Sequence, residues 1–161
     1  MVVHAISSNE AVASFFDICE QLYRFFRRPN VHNLYEGDSL KRVLDQRWEG
    51  HLAAARTLDK SMEDVKEVLN IVAQKSGEIG VIAAGLERKV LDHKFIFLTK
   101  CMPALLGKLD SPNKALQSRT ATFHEAIDLI KESKGIIVDM KTEEIFNSYW
   151  NQVVEVSIGM I

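Results

Sequence analysis

"RTLDKSMEDVKEVLNIVAQK", residues 56–75, decides the fold class. Leu58, Met62, Val65, Leu69 and Val72 recur at alternating spacings of four and three, the rhythm of a stripe along one side of a helix. Asp59, Lys60, Glu63, Asp64, Lys66 and Glu67 fill the intervals with charge. From Glu49 to about Lys75 the pattern predicts one long amphipathic helix with a narrow apolar seam, suited to packing in a bundle.

The same rhythm runs outward in both directions. Upstream, "SSNE" (7–10) offers Ser7 as an N-cap with Glu10 three residues on, a capping box. Val12, Phe15, Phe16, Cys19, Leu22, Tyr23 and Phe26 then form one face, and Pro29 ends the helix because the residue before a proline avoids helical geometry. "RRPNVHNLYEGD" (27–38) reads as a loop. "SLKRVLDQRW" (39–48) fits either a helix face through Leu40, Val43, Leu44 and Trp48 or a short extended segment ending at Trp48.

Downstream, "KSGEIG" (75–80) marks a turn, and "EIGVIAAGLERKVL" (78–91) a helix loosened by Gly80 and Gly85. In the next stretch Leu91, Phe95, Leu98, Met102, Leu105 and Leu109 line one face, with Pro103 placed to kink it, and the helix is read on through "PNKALQS" (112–118). A further helix spans about 120–138 with Phe123, Ile127 and Ile130 inward. In the last, Thr142 can cap, Glu143 and Glu144 suit a helix start, and Phe146, Tyr149, Trp150 and Val153 pack. The fold class expected is mostly α, a helical bundle.

A chain of 161 residues with 47% apolar and 26% charged residues can bury a core. Its net charge of -2 gives no global attraction to nucleic acid or to an anionic membrane, so any such contact needs a local patch. No apolar run approaches a membrane span, and "MVVHAISSNE" lacks the basic-then-apolar order of a signal peptide, so neither a membrane partner nor secretion is expected. Cys19 and Cys101 each sit among apolar residues and are expected as buried, reduced thiols.

Chemistry-bearing patterns are sparse. No two of the five histidines stand at i, i+4, and none has a cysteine at zinc-ligand spacing. His124 and Asp128 share a helix face, which reads as a surface contact. The sequence has no glycine-rich phosphate loop and no nucleophile motif. No metal, cofactor, catalytic residue or small-molecule substrate is expected.

One stretch is concentrated in base. Arg24, Arg27, Arg28, Lys41, Arg42 and Arg47 are opposed between 24 and 47 only by Glu36, Asp38 and Asp45. The first three arginines close a helix, where cations complement the dipole. As a functional set the six are candidates for phosphate contacts. Trp48 reads either as a core anchor at a helix start or, beside Arg47, as an aromatic that stacks an unpaired base.

"LKRVLDQRW" (40–48) followed by a long charged helix resembles the hAT-superfamily transposases and the host proteins derived from them. "ISSNEAVASFFDICEQLYRFFRRPNVHNLY" (6–35) resembles the family's helix and "FF" stretch upstream of its "RW" motif. The segment 91–134, with its "ALQ", and "EEIFNSYWNQV" (143–153) resemble parts of the family's helical insertion. Pro103 matches nothing in the family pattern.

The resemblance implies an RNase H-like core interrupted by an all-helical insertion, with Arg47 and Trp48 matching a pair that stabilises a flipped base near the active site. The catalytic aspartates would precede residue 1 and the glutamate would follow residue 161. The expectation is therefore a catalytically incomplete fragment: residues 1–48 a remnant of the RNase H-like core, and 49–161 the insertion. Some apolar surface that would face the missing core is expected to be exposed. Weak DNA binding through Arg47, Trp48, Arg24, Arg27, Arg28, Lys41 and Arg42 follows from the resemblance, with a nuclear location, otherwise cytoplasmic. The alternative is a helical module that binds protein partners or itself and no nucleic acid.

Overall fold

In the computed structural model, residues 9–43, 48–117 and 122–158 are described; they form eight helices and contain no strand. The chain divides into two compact units, Met1–Thr99 and Lys100–Ile161. The boundary expected at residue 48 rests on the family resemblance alone; the compact units divide elsewhere.

Helix α1 spans Glu10–Phe26. Its cap is Asn9, whose side-chain oxygen accepts from the Val12 amide at 3.2 Å. The expected cap, Ser7, lies outside the described residues, and Glu10 falls at the first helical position, where an acid complements the dipole. Phe15, Phe16, Cys19, Leu22, Phe25 and Phe26 are buried. Pro29 forces Arg28 into an extended conformation (φ -67, ψ 134) and then starts a one-turn helix, α2 (Pro29–His32), where a loop was expected. Val31, on that turn, is fully buried.

Residues 39–43 are not helical, which settles the described part of the ambiguous stretch. They dock on α1: Leu40 and Val43 are buried, and the Val43 amide donates to Glu20 Oε2 at 3.2 Å.

The helix expected from Glu49 to Lys75 is two helices, α3 (Trp48–Lys60) and α4 (Met62–Ala73), parted at Ser61 (φ -104, ψ 14). Ser61 is buried and hydrogen-bonds the Tyr35 side chain, a partner from far away in sequence. The predicted seam is intact across the break: Leu58, Met62, Val65, Leu69 and Val72 are all buried.

Gly77, at φ 94, takes a backbone conformation that favours glycine and turns the chain into α5 (Glu78–Val90). Helices α4 and α5 form a hairpin, bridged by Asn70 Nδ2 donating to Glu87 Oε1 at 3.1 Å. A side-chain carbon at Gly80 would run into the Lys75 carbonyl oxygen, so the hairpin closes only with glycine there.

Helix α6 runs from His93 to Leu116 and is capped by Asp92, whose Oδ1 accepts from the Lys94 and Phe95 amides at 2.9 and 3.3 Å. Phe95, Met102 and Leu109 of the expected face are buried; Leu98 and Leu105 are half-buried and Leu91 is exposed, while Ile96 and Leu106 are buried in addition. The helix carries on through Pro103 and Pro112. Pro103 has no N–H to give the Thr99 carbonyl, and the two compact units divide at that turn.

In the second unit, α7 (Phe123–Met140) opens with a full capping box between Thr122 and Glu125. The Glu125 amide donates to Thr122 Oγ1 at 3.3 Å and the Thr122 amide to Glu125 Oε2 at 2.7 Å, which holds the Glu125 carboxyl below its usual range. Helix α8 (Glu143–Ile158) is capped as expected by Thr142, whose hydroxyl accepts from the Ile145 amide at 3.3 Å. Val153 is fully buried. The expectation that Phe123 and Ile130 point inward is wrong: Phe123 is 84% exposed, Ile130 is 50% exposed, and no residue of α7 is buried. Phe146 and Trp150 are 49% and 40% exposed, and their rings stack on each other with centres 6.1 Å apart.

Replacing Gly80 by alanine is expected to lower stability by about 2 kcal/mol, the usual scale for forcing an atom into filled space. Urea unfolding would measure it; a change within about 0.5 kcal/mol, the scale of a neutral surface substitution, would contradict the close approach.

Candidate functional site

The basic residues of 24–42 have different partners. The Arg24 Nε lies 3.0 Å from Glu20 Oε1, and the Arg42 Nε lies 3.7 Å from the same oxygen. Glu20 therefore serves two arginines and, through its other oxygen, the Val43 amide. That carboxylate joins α1 to the 39–43 segment and offsets part of the positive charge a phosphate would meet. Arg27 donates to the Tyr23 hydroxyl at 3.2 Å with its guanidinium over the same ring, beside a second cleft lined by His32 and Tyr35. Lys41 is exposed. Arg47 lies outside the described residues.

Arg24 and Arg28 do converge, and on a residue that the sequence does not single out. They line an open cleft of about 350 Å³ together with Lys89 from the last turn of α5. Phe25 and Leu86 form part of its apolar lining, and the Arg28 guanidinium sits 5.8 Å from the Phe25 ring centre. Lys89 Nζ donates to Gln21 Oε1 at 2.8 Å, tying α5 to α1. The only sequence signal for Lys89 is that it closes a helix with Arg88, as the arginines close α1. Three cations around an apolar lining have the chemistry to hold an anion, and they also offset the partial negative charge at the carbonyl ends of α1 and α5.

Trp48 opens α3 as a core residue, 3% exposed. Its indole N–H is buried and has no acceptor among the described residues. In this conformation the ring cannot stack on a base, so that use requires the start of α3 to open. Beside it in sequence, the buried His51 meets the Phe16 ring edge-to-face at 4.6 Å, so the first turn of α3 is held against α1.

Both thiols suit packing. Burial pushes the Cys19 thiol far up and the Cys101 thiol up to about 11, which leaves each protonated and a poor nucleophile at neutral pH. Among the described residues no group of three or more histidine, cysteine, aspartate or glutamate side chains could hold a metal. No helix among them is long and apolar enough to cross a membrane. His124 Nε2 lies 3.7 Å from Asp128 Oδ2 with both side chains exposed, a contact worth little.

Helix α7 carries apolar side chains on its exposed side. Ala126, Leu129, Ser133, Ile136 and Met140, on one stripe, are half-buried. Beside them Phe123, Ile130, Ile137 and Val138 are exposed. Contiguous apolar surface rimmed by charge is what interaction sites present.

No family model, no curated protein and no solved structure matches the chain.

Truncating Trp48 to alanine is expected to destabilise the protein by about 3 kcal/mol, the scale for emptying a buried aromatic site. Denaturant unfolding tests it, and a loss below about 0.5 kcal/mol would mean a displayed ring.

Proposed function

We propose that the chain is a non-catalytic helical module that binds other proteins through α7, with its helices inherited from an hAT-type transposase and a nuclear location following from that descent. One observation carries the binding role. Helix α7 opens with a full capping box, yet it leaves Phe123, Ile130, Ile137 and Val138 exposed to solvent. A helix that is well formed locally and uncovered along an apolar stripe has its partner elsewhere. The all-helical architecture supports the descent, since the resemblance implies a helical insertion.

A second reading, weak DNA binding, is favoured by the cleft that brings Arg24, Arg28 and Lys89 together. Its test is a low-salt titration of duplex, hairpin and single-stranded DNA. Loss of binding in the double variant Arg28→Ala, Lys89→Ala would carry that reading, and absence of any binding would sink it.

The interaction role is tested by placing a photocrosslinking amino acid at position 130 or, as a control on the charged side, at position 132 in the cell of origin. Discrete protein adducts from position 130 and none from 132 are expected. Equal labelling at the two positions, or none at either, would end the proposal.

A further inference from the structure

The exposed side of α7 has a chemistry that narrows what covers it. Counting about 100° per residue, the apolar residues of α7 cover an arc of about 200°, wider than the stripe already half-buried. Phe123, Ile127, Ile130, Lys134 and Ile137 form a second stripe, spaced four and three, the pattern of a seam between two helices. Ile127 is half-buried and the others are exposed.

Charge is segregated about this stripe. Glu125, Glu132 and Asp139 lie beyond the half-buried stripe, on the far side from Ile130. His124, Lys131 and Lys134 lie along or within the exposed one, and Lys141 follows at the end of the helix. Asp128 is shared by Lys131 at 3.4 Å and His124 at 3.7 Å. Lys134 and Lys141 have no carboxylate partner among the described residues. Whatever covers the stripe therefore meets a lysine inside the seam and a basic edge beside it.

A second copy of this chain suits that edge badly. Pairing two α7 helices in parallel through the stripe sets Lys134 against Lys134 of the other copy. Pairing them antiparallel sets the two Lys131 side chains near the centre of the contact. The parallel arrangement buries like charges together, which disfavours it; the antiparallel one crowds two Lys131–Asp128 pairs and sets Lys134 opposite Ala126 with no carboxylate to meet it.

Resting on the reading of α7 as an interaction surface, we infer that its exposed stripe takes an amphipathic helix from a different protein, one whose apolar stripe is flanked by carboxylates. The seam receives the apolar side chains, and the carboxylates reach Lys134 and Lys131. The basic edge also selects against helices with a lysine flank.

The probes are two dye-labelled helical peptides with the same leucine stripe, one flanked by glutamates and its twin by lysines, titrated against the full chain by fluorescence anisotropy. The acidic peptide is expected to bind, with the twin weaker by about ten-fold or more and the gap narrowing as salt is added. The double variant Lys131→Glu, Lys134→Glu is expected to reverse the preference, and Ile130→Asp to abolish binding of both. These side chains are exposed, so circular dichroism should be unchanged in every variant.

Equal binding of the two peptides, binding of neither, or a preference that survives the double variant overturns the acidic partner. If Ile130→Asp has no effect on peptide binding, the reading of α7 itself falls with it. A dimer seen by light scattering and lost in Ile130→Asp would keep the surface and replace the acidic partner with a second copy.

Discussion

The close approach of α4 and α5 at Gly80 is the constraint on which the first unit depends. The hairpin can close because no side chain stands between Gly80 and the Lys75 carbonyl, and because Gly77 makes the turn that precedes it. Closure buries the seam Leu58, Met62, Val65, Leu69 and Val72 together with Ala83, Leu86 and Val90. Helix α1 joins that core with its phenylalanine face, and the Phe15 ring meets Phe95 of α6 at 5.2 Å. The 39–43 segment is then held to α1 by Glu20, a partly buried carboxylate serving two arginines and one amide. In a residue set that looks like a phosphate patch in the sequence, Arg24 and Arg42 thus share Glu20, while Arg24 and Arg28 line a cleft that also needs Lys89.

The second unit is built differently. Its helices are secured by local devices: a capping box at Thr122, a hydroxyl cap at Thr142 and a Lys114–Asp110 pair at 2.8 Å. Its buried large apolar side chains among the described residues are Met102, Leu106 and Leu109 on α6 and Val153 on α8, and α7 contributes none. Local hydrogen bonds and ion pairs contribute about 1 kcal/mol or less each, whereas packing an apolar face gives most of a helix's stability. An α7 that exposes much of its apolar arc gains more from a partner than from its own chain. The proposed interaction role rests on that asymmetry more than on any single residue.

Much of the helix layout was legible in sequence because it follows from period and punctuation. The seam from Leu58 to Val72 was read from spacing and is buried as read. The turn at 75–80 and the Thr142 cap were legible from Gly77 and from the threonine ahead of two glutamates. The break at Ser61 was not, because its buried hydroxyl meets Tyr35, a residue no local pattern connects to it. The short helix after Pro29 was missed because proline both ends one helix and can begin another. Lys89 was missed because its place beside Arg24 and Arg28 exists only once α5 lies on α1. Phe123 and Ile130 show the limit most sharply: periodicity reveals that a helix has an apolar face, and says nothing of whether anything covers it. The hAT resemblance implied an ancestry and an expectation of uncovered surface, but its key pair gives one residue outside the described segments and one buried in the core.

The central claim, that the stripe on α7 is open in the isolated protein, is tested most directly by thiol labelling. In a Cys19→Ala, Cys101→Ala background, Ile130→Cys and Glu132→Cys would be labelled separately with a maleimide under native conditions and the rates compared. The account predicts that position 130 reacts about as fast as position 132. Labelling at 130 as slow as that of buried Cys19 in the natural chain would mean that the stripe is covered, and would contradict the account.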